Sequence, residues 1–75
     1  MQYIIDGKVY DTKKMTEVLD YGGTTLYLTK NGNWFYFTVH GDNRVITADE
    51  ACEKLVECDA VDAVNKYFPG TIEDG

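Results

Sequence analysis

Serine is absent from this 75-residue chain, histidine occurs once, at His40, and cysteine only twice, at Cys52 and Cys58. These gaps remove whole classes of chemistry. Nucleophilic catalysis needs a Ser, Cys or Lys beside a base that a third group orients, and a single histidine leaves little to build that relay. A lone histidine without a second His or Cys at ligand spacing makes no zinc site either, so His40 reads as a turn or surface residue. The two cysteines form no Cys-x-x-Cys pair and are too few for a disulfide framework. Cys52 falls in an apolar helical stripe, where a thiol acts as a small hydrophobe. About 600° of helical rotation separates it from Cys58. No Asp-x-Asp-x-Asp-Gly loop offers a calcium site, and the glycines form no phosphate-cradling motif. Acid–base work by a pair of carboxylates would need opposed environments in a pocket, for which so short a chain leaves little room. The expectation is a protein without catalytic, metal-binding or cofactor-binding residues, and so not an enzyme.

Long apolar runs are missing too. No window approaches the roughly 18 apolar residues of a membrane span, and Met1 leads into Gln2-Tyr3-Ile4-Ile5-Asp6 without the basic start of a signal peptide. A cytoplasmic location is expected. What is present is core material: 44% of the residues are hydrophobic and 13% aromatic. That is enough for one small ordered domain over residues 1–75, near the lower size limit for a single core.

The stretch Thr25 to His40 organises the rest. Asn31-Gly32 is a strong signal for a two-residue type I′ hairpin, whose central positions both need positive φ. In that register Leu28 faces Phe35 and Leu26 faces Phe37. One face then carries Leu26, Leu28, Phe35, Phe37 and Val39 as core; the other presents Tyr27, Trp34 and Tyr36 with Thr25, Thr29 and Thr38. Asp6-Gly7 marks a second hairpin between Tyr3-Ile4-Ile5 and Lys8-Val9-Tyr10. Residues 15–21 read as a strand from their β-branched and aromatic content, although Met15, Val18 and Leu19 also fit one helical face.

Helices follow the strands. Thr47-Ala48-Asp49-Glu50 has the form of a capping box, and Ala48, Ala51, Cys52, Leu55 and Val56 recur at helical spacing. Asp59 is placed to cap a second helix from Ala60 to Phe68, with Val61, Val64, Tyr67 and Phe68 inward. Pro69-Gly70 ends it and 71–75 form a loose tail. The order predicts an α+β fold: an antiparallel sheet of about four strands, with two short helices packed on one face.

Charge is segregated. Up to residue 46 five acids balance five bases; beyond it Asp49, Glu50, Glu53, Glu57, Asp59, Asp62, Glu73 and Asp74 face only Lys54 and Lys66, so the net charge of −6 lies there. This opposes direct nucleic-acid binding and favours a basic partner. Glu50, Glu53 and Glu57 share one face of the first helix with Asp49 beside them, extended by Asp59 and Asp62. Such a face ordinarily just solvates a helix, but solubilising faces usually alternate in sign, and carboxylates on a rigid scaffold can imitate a row of phosphates. The second candidate is the aromatic set Tyr27, Trp34 and Tyr36, since Tyr and Trp anchor interfaces. It would serve a partner or a homodimer, unless the sheet is covered on both sides.

The segments Ile5–Thr12, Leu26–Phe35 and Ile46–Ala51 resemble a group of short, mostly uncharacterised proteins encoded on bacterial phages and mobile elements. In size, acidity and α+β pattern the chain is similar in type to small anti-CRISPR proteins, many of which block a surveillance complex by imitating DNA. The resemblance implies an inhibitor that engages a basic nucleic-acid-binding surface of a host complex such as a CRISPR effector, and the chain is expected to be a monomer or a homodimer. It carries over no functional residues. The competing expectation is a small homo-oligomeric structural or regulatory module assembling through the aromatic face.

Overall fold

The computed structural model describes all residues, 1–75. Asp6 and Gly7 adopt φ of 51° and 74°, the two left-handed positions of a type I′ turn. They join β1 (Gln2–Ile5) to β2 (Lys8–Asp11), with Ile5 opposite Lys8. A single 3-10 turn over Thr12–Lys14 leads into β3 (Thr16–Tyr21). Residues 15–21 therefore hold a strand, as their composition favours. Gly22-Gly23, again both at positive φ, turn the chain into β4 (Thr24–Leu28), and β5 (Trp34–Thr38) and β6 (Asn43–Ile46) follow. The four strands β3-β4-β5-β6 make one antiparallel sheet in chain order, while β1-β2 stand as a separate pair. Val18 bulges out of the β3–β4 register.

The helices are α1 (Ala48–Glu57) and α2 (Val61–Tyr67). The expected capping box is in place: Thr47 Oγ1 accepts from the Glu50 N–H at 3.1 Å. Asp59 is not the cap of α2, which begins after Ala60 without any side-chain cap. It sits instead at φ 56°, just past the end of α1. There the Ala60 N–H reaches Leu55 O at 3.0 Å and the Asp59 N–H reaches Val56 O at 3.1 Å. That double bond pattern is a Schellman motif, with Asp59 in the left-handed position that glycine usually takes. The helices are thereby only three residues apart, and Ala51 and Leu55 of α1 meet Val64 of α2.

Together these elements build an α+β fold in three layers. Ala51, Leu55 and Val64 pack on Leu26, Trp34 and Ile46 of the sheet, with Leu19, Leu28 and Tyr36 at the margin. The opposite sheet face is covered by the β1–β2 hairpin: the Tyr3 and Tyr10 rings lie 5.5 and 5.8 Å from that of Phe35, and Tyr3 lies 6.3 Å from Phe37. Val56 and Val61, placed inward by their spacing, are exposed; Ile72, in the terminal segment, packs against the core.

The central hairpin departs from the expected register by one residue. Leu28 faces Trp34, Tyr27 faces Phe35 and Leu26 faces Tyr36. Its loop has three residues, Lys30-Asn31-Gly32, closed by Thr29 N–H on Asn33 O at 2.8 Å and Gly32 N–H on Thr29 O at 3.0 Å. Only Gly32 (φ 82°) is left-handed, the signature of a type I turn followed by a glycine bulge. Thr29 Oγ1 accepts the Asn33 N–H at 3.0 Å and satisfies the donor the bulge frees. A one-residue shift exchanges every side chain between the two faces. Phe35 and Phe37 thus move to the hairpin side, Trp34 and Tyr36 move to the helix side, and Val39 leaves the strand to lie exposed in the next loop.

That next loop repeats the device nine residues on. Thr38-Val39-His40-Gly41-Asp42 shows Gly41 at φ 93°, Gly41 N–H on Thr38 O at 3.1 Å, Thr38 N–H on Asp42 O at 3.0 Å, and Asp42 N–H on Thr38 Oγ1 at 3.2 Å. The three-residue geometry makes a prediction that separates it from a type I′ turn. Gly32→Ala should lower unfolding stability by about 1 kcal/mol, whereas Asn31→Ala should change it by less than about 0.5 kcal/mol. Urea denaturation of both variants checks this, and equal losses would restore the two-residue turn.

Candidate functional site

Helical phase decides which acids share a surface. With Ala51 and Leu55 fully buried on one side of α1, residues about 180° away point to solvent. At 100° per residue Asp49, Glu53, Glu57 and Glu50 fall within an arc of about 100° centred opposite that buried pair. Asp49, Glu53 and Glu57 are exposed, as are Asp59 in the inter-helix link and Asp62 in the first turn of α2. None of these five has a basic group within 4.0 Å; both ion pairs in the molecule belong to Arg44.

Glu50 stands apart. It is half-buried, its backbone N–H closes the cap on Thr47, its Oε1 accepts from the Thr47 hydroxyl at 3.5 Å, and its Oε2 lies 3.9 Å from Arg44 Nη1. Its first commitment is to the start of the helix. The free acidic row is therefore Asp49, Glu53 and Glu57, continued by Asp59 and Asp62.

The bases nearest the helices are turned elsewhere. Lys54 Nζ sits 4.5 Å from the centroid of the Tyr36 ring, with the Arg44 guanidinium 5.2 Å from the same ring, and Lys66 Nζ lies 5.3 Å from that of Tyr67. Cations over aromatic faces are attracted by the ring quadrupole. Held there, they leave the outer carboxylates uncompensated.

The aromatic set does not share a face. Trp34 is buried on the helix side, where Tyr67 meets it edge-on at 5.5 Å and Phe68 stacks on it at 5.4 Å. Tyr36 is half-buried on that same side beneath Lys54 and Arg44. Tyr27 lies on the opposite side, 6.3 Å from Phe35. The shifted register separates them, and the covering hairpin hides the remainder, so they offer no joint docking surface. Trp34 is a core residue.

Tyr27 has one electrostatic consequence. Partial burial holds its hydroxyl above the ordinary value near 10, and the Glu17 and Asp20 carboxylates push the same way. His40 is exposed in the Thr38–Asp42 loop, and Cys52 and Cys58 are half-buried free thiols. No three His, Cys, Asp or Glu side chains converge where a metal could sit, and no helix is long and apolar enough to cross a membrane. Of the four remaining bases Lys13 stands exposed on the 3-10 turn, and spacing alone did not reveal the grouping of the other three. Lys8, Lys14 and Lys30 line one cleft between the β1–β2 hairpin and the β4–β5 loop, and they come together only through the packing of that hairpin.

Two outcomes follow from these placements. Trp34→Ala should destabilise the fold by about 3–5 kcal/mol, seen as a collapse of the urea midpoint and not as dissociation of a dimer. Tyr27, whose folded-state value is raised, binds its proton more tightly when folded than unfolded. Stability should therefore fall as pH rises past about 10, and Tyr27→Phe should flatten that fall in melts between about pH 9 and 11.5. Comparison with protein-family models, with curated proteins and with solved structures finds no match.

Proposed function

We propose that the chain is a non-enzymatic inhibitor of phage or mobile-element origin, akin in type to small anti-CRISPR proteins, acting in the bacterial cytoplasm. Its acidic helical face docks on a basic, nucleic-acid-binding surface of a host protein or effector complex and occupies the place of phosphates. The observation that carries this reading is the unpaired row Asp49, Glu53, Glu57, Asp59 and Asp62, exposed on two linked helices with no cation within 4.0 Å.

Physical supports come from scaffold and spacing. Glu53 and Glu57 are about 6 Å apart along the helix axis, and Asp49 precedes Glu53 by the same interval, so the carboxylates stand at a fixed, regular spacing on a rigid rod. The capped start of α1 and the Schellman link hold the row without requiring order to be gained on binding, which keeps the entropic cost of docking low. Long-range attraction to a basic groove also speeds encounter.

The test is capture of host proteins from a bacterial lysate over a salt series from about 50 to 500 mM, a span that progressively screens exposed charge. A nucleic-acid-handling complex should be retained at low salt and lost steeply as salt rises. The triple variant Asp49→Asn, Glu53→Gln, Glu57→Gln spares the Thr47–Glu50 cap and should weaken capture at least tenfold. Undiminished capture by the triple variant would refute the phosphate-mimic reading.

A further inference from the structure

We propose that the cleft between the β1–β2 hairpin and the β4–β5 loop binds a phosphorylated small molecule of nucleotide size, its phosphates held by Lys8, Lys14 and Lys30 and its apolar body resting on Tyr10. The cleft has a volume of about 350 Å3, within the roughly 300–1,000 Å3 of small-molecule sites. It lies on the hairpin side of the sheet, across from the helices, and does not depend on the acidic face.

The charge pattern is the first argument. The chain as a whole carries −6, yet three lysines line this one concavity and none has a carboxylate within 4.0 Å. Elsewhere Arg44 pairs with Asp42 and Glu50, and Lys54 and Lys66 lie on tyrosine rings, which leaves Lys13, exposed on the 3-10 turn, as the one other side-chain cation without such a partner. Three unpaired ammonium groups around a cleft repel one another and focus a positive potential that a multivalent anion relieves. Lysine is a point-charge phosphate binder.

Asp11 is the single acid in the lining, and it is already committed. Its carboxylate accepts the Lys13 N–H at 3.1 Å and Gln2 Nε2 at 3.5 Å. The Lys13 N–H above all holds the Asp11 carboxyl below its usual range, so it stays ionised and tied to the 3-10 turn. The lining keeps a net positive charge. The second argument is the rest of the wall. Val9, Tyr10 and Met15 supply apolar surface, and the Tyr10 ring is braced by stacking on Phe35 at 5.8 Å and 12°. The Asn31 and Asn33 amides add donors and acceptors suited to a heterocycle edge.

Titration of the labelled full-length chain with ADP, with pyrophosphate and with adenosine, followed by amide NMR shifts, tests this. ADP should give saturable shifts confined to residues 8–15 and 29–33, pyrophosphate should compete more weakly, and adenosine should bind least. The variant Lys14→Gln, Lys30→Gln alters two exposed side chains. It should weaken ADP at least tenfold while leaving the thermal melt unchanged. Absence of saturable shifts, shifts spread over all the basic residues, or affinity unchanged in the double variant would overturn the site. So would a salt-sensitive dimer with the acidic helices of a second copy in the cleft. Equal affinity for pyrophosphate and ADP would overturn the role given to Tyr10.

Discussion

Two neighbouring residues on β5 carry the architecture. Trp34 and Phe35 point to opposite sides of the same strand, and both are buried, at 6% and 0% exposure. A half-solvated sheet cannot bury both, since successive side chains alternate between faces. Each aromatic therefore demands its own cover. The helix layer supplies Tyr67 and Phe68 to Trp34, and the β1–β2 hairpin supplies Tyr3 and Tyr10 to Phe35. For a 75-residue chain that is an economical way to gain two apolar contacts from one central strand, where a fully buried large side chain contributes about 1.5–3 kcal/mol.

The turns make that arrangement unique. Each hairpin loop with a Thr-x-x-Gly-Asx sequence takes three residues, one left-handed glycine and one threonine hydroxyl that satisfies the bulged N–H. The Asp6-Gly7 and Gly22-Gly23 loops take two residues, with both at positive φ. Loop length sets register and register sets which face each aromatic occupies, so the local bonds of Thr29 and Thr38 propagate to the composition of both cores. The threonines are small residues with a large structural consequence.

The same layering sorts the charges. Helices packed by Ala51, Leu55 and Val64 leave their outer arcs to acids, and cations near them are drawn onto Tyr36 and Tyr67. On the far side of the sheet the hairpin brings Lys8 and Lys14 to Lys30, which the chain order keeps well apart. A protein acidic overall thus presents one uncompensated negative face and one cleft whose lining is net positive, with the sheet between them. Fields of opposite sign on separate surfaces favour partners of opposite kinds.

Sequence alone determined the α+β class, the Asp6-Gly7 hairpin, the Thr47 cap and the helical face that Glu53 and Glu57 share with Asp49 beside them; it favoured a strand at 15–21 without excluding a helix. These rest on local rules: turn dihedrals, side-chain periodicity and capping, all decided within a few residues. Tertiary structure decided between the loop lengths that Asn31-Gly32 allows, and so the register of β4 with β5 and the fates of Tyr27, Trp34 and Tyr36. An Asn-Gly pair allows a two-residue or a three-residue loop, and either choice places an apolar row on one face. What separates them is whether the opposite face is covered, and that cover comes from a hairpin more than twenty residues upstream. Asp59 follows the same logic: its short polar side chain fits a helix start and a left-handed helix end alike, and the close packing of α1 on α2 selects the second. The lysine cleft lay beyond reach for the plainest reason, that residues 8, 14 and 30 become neighbours only when the chain folds.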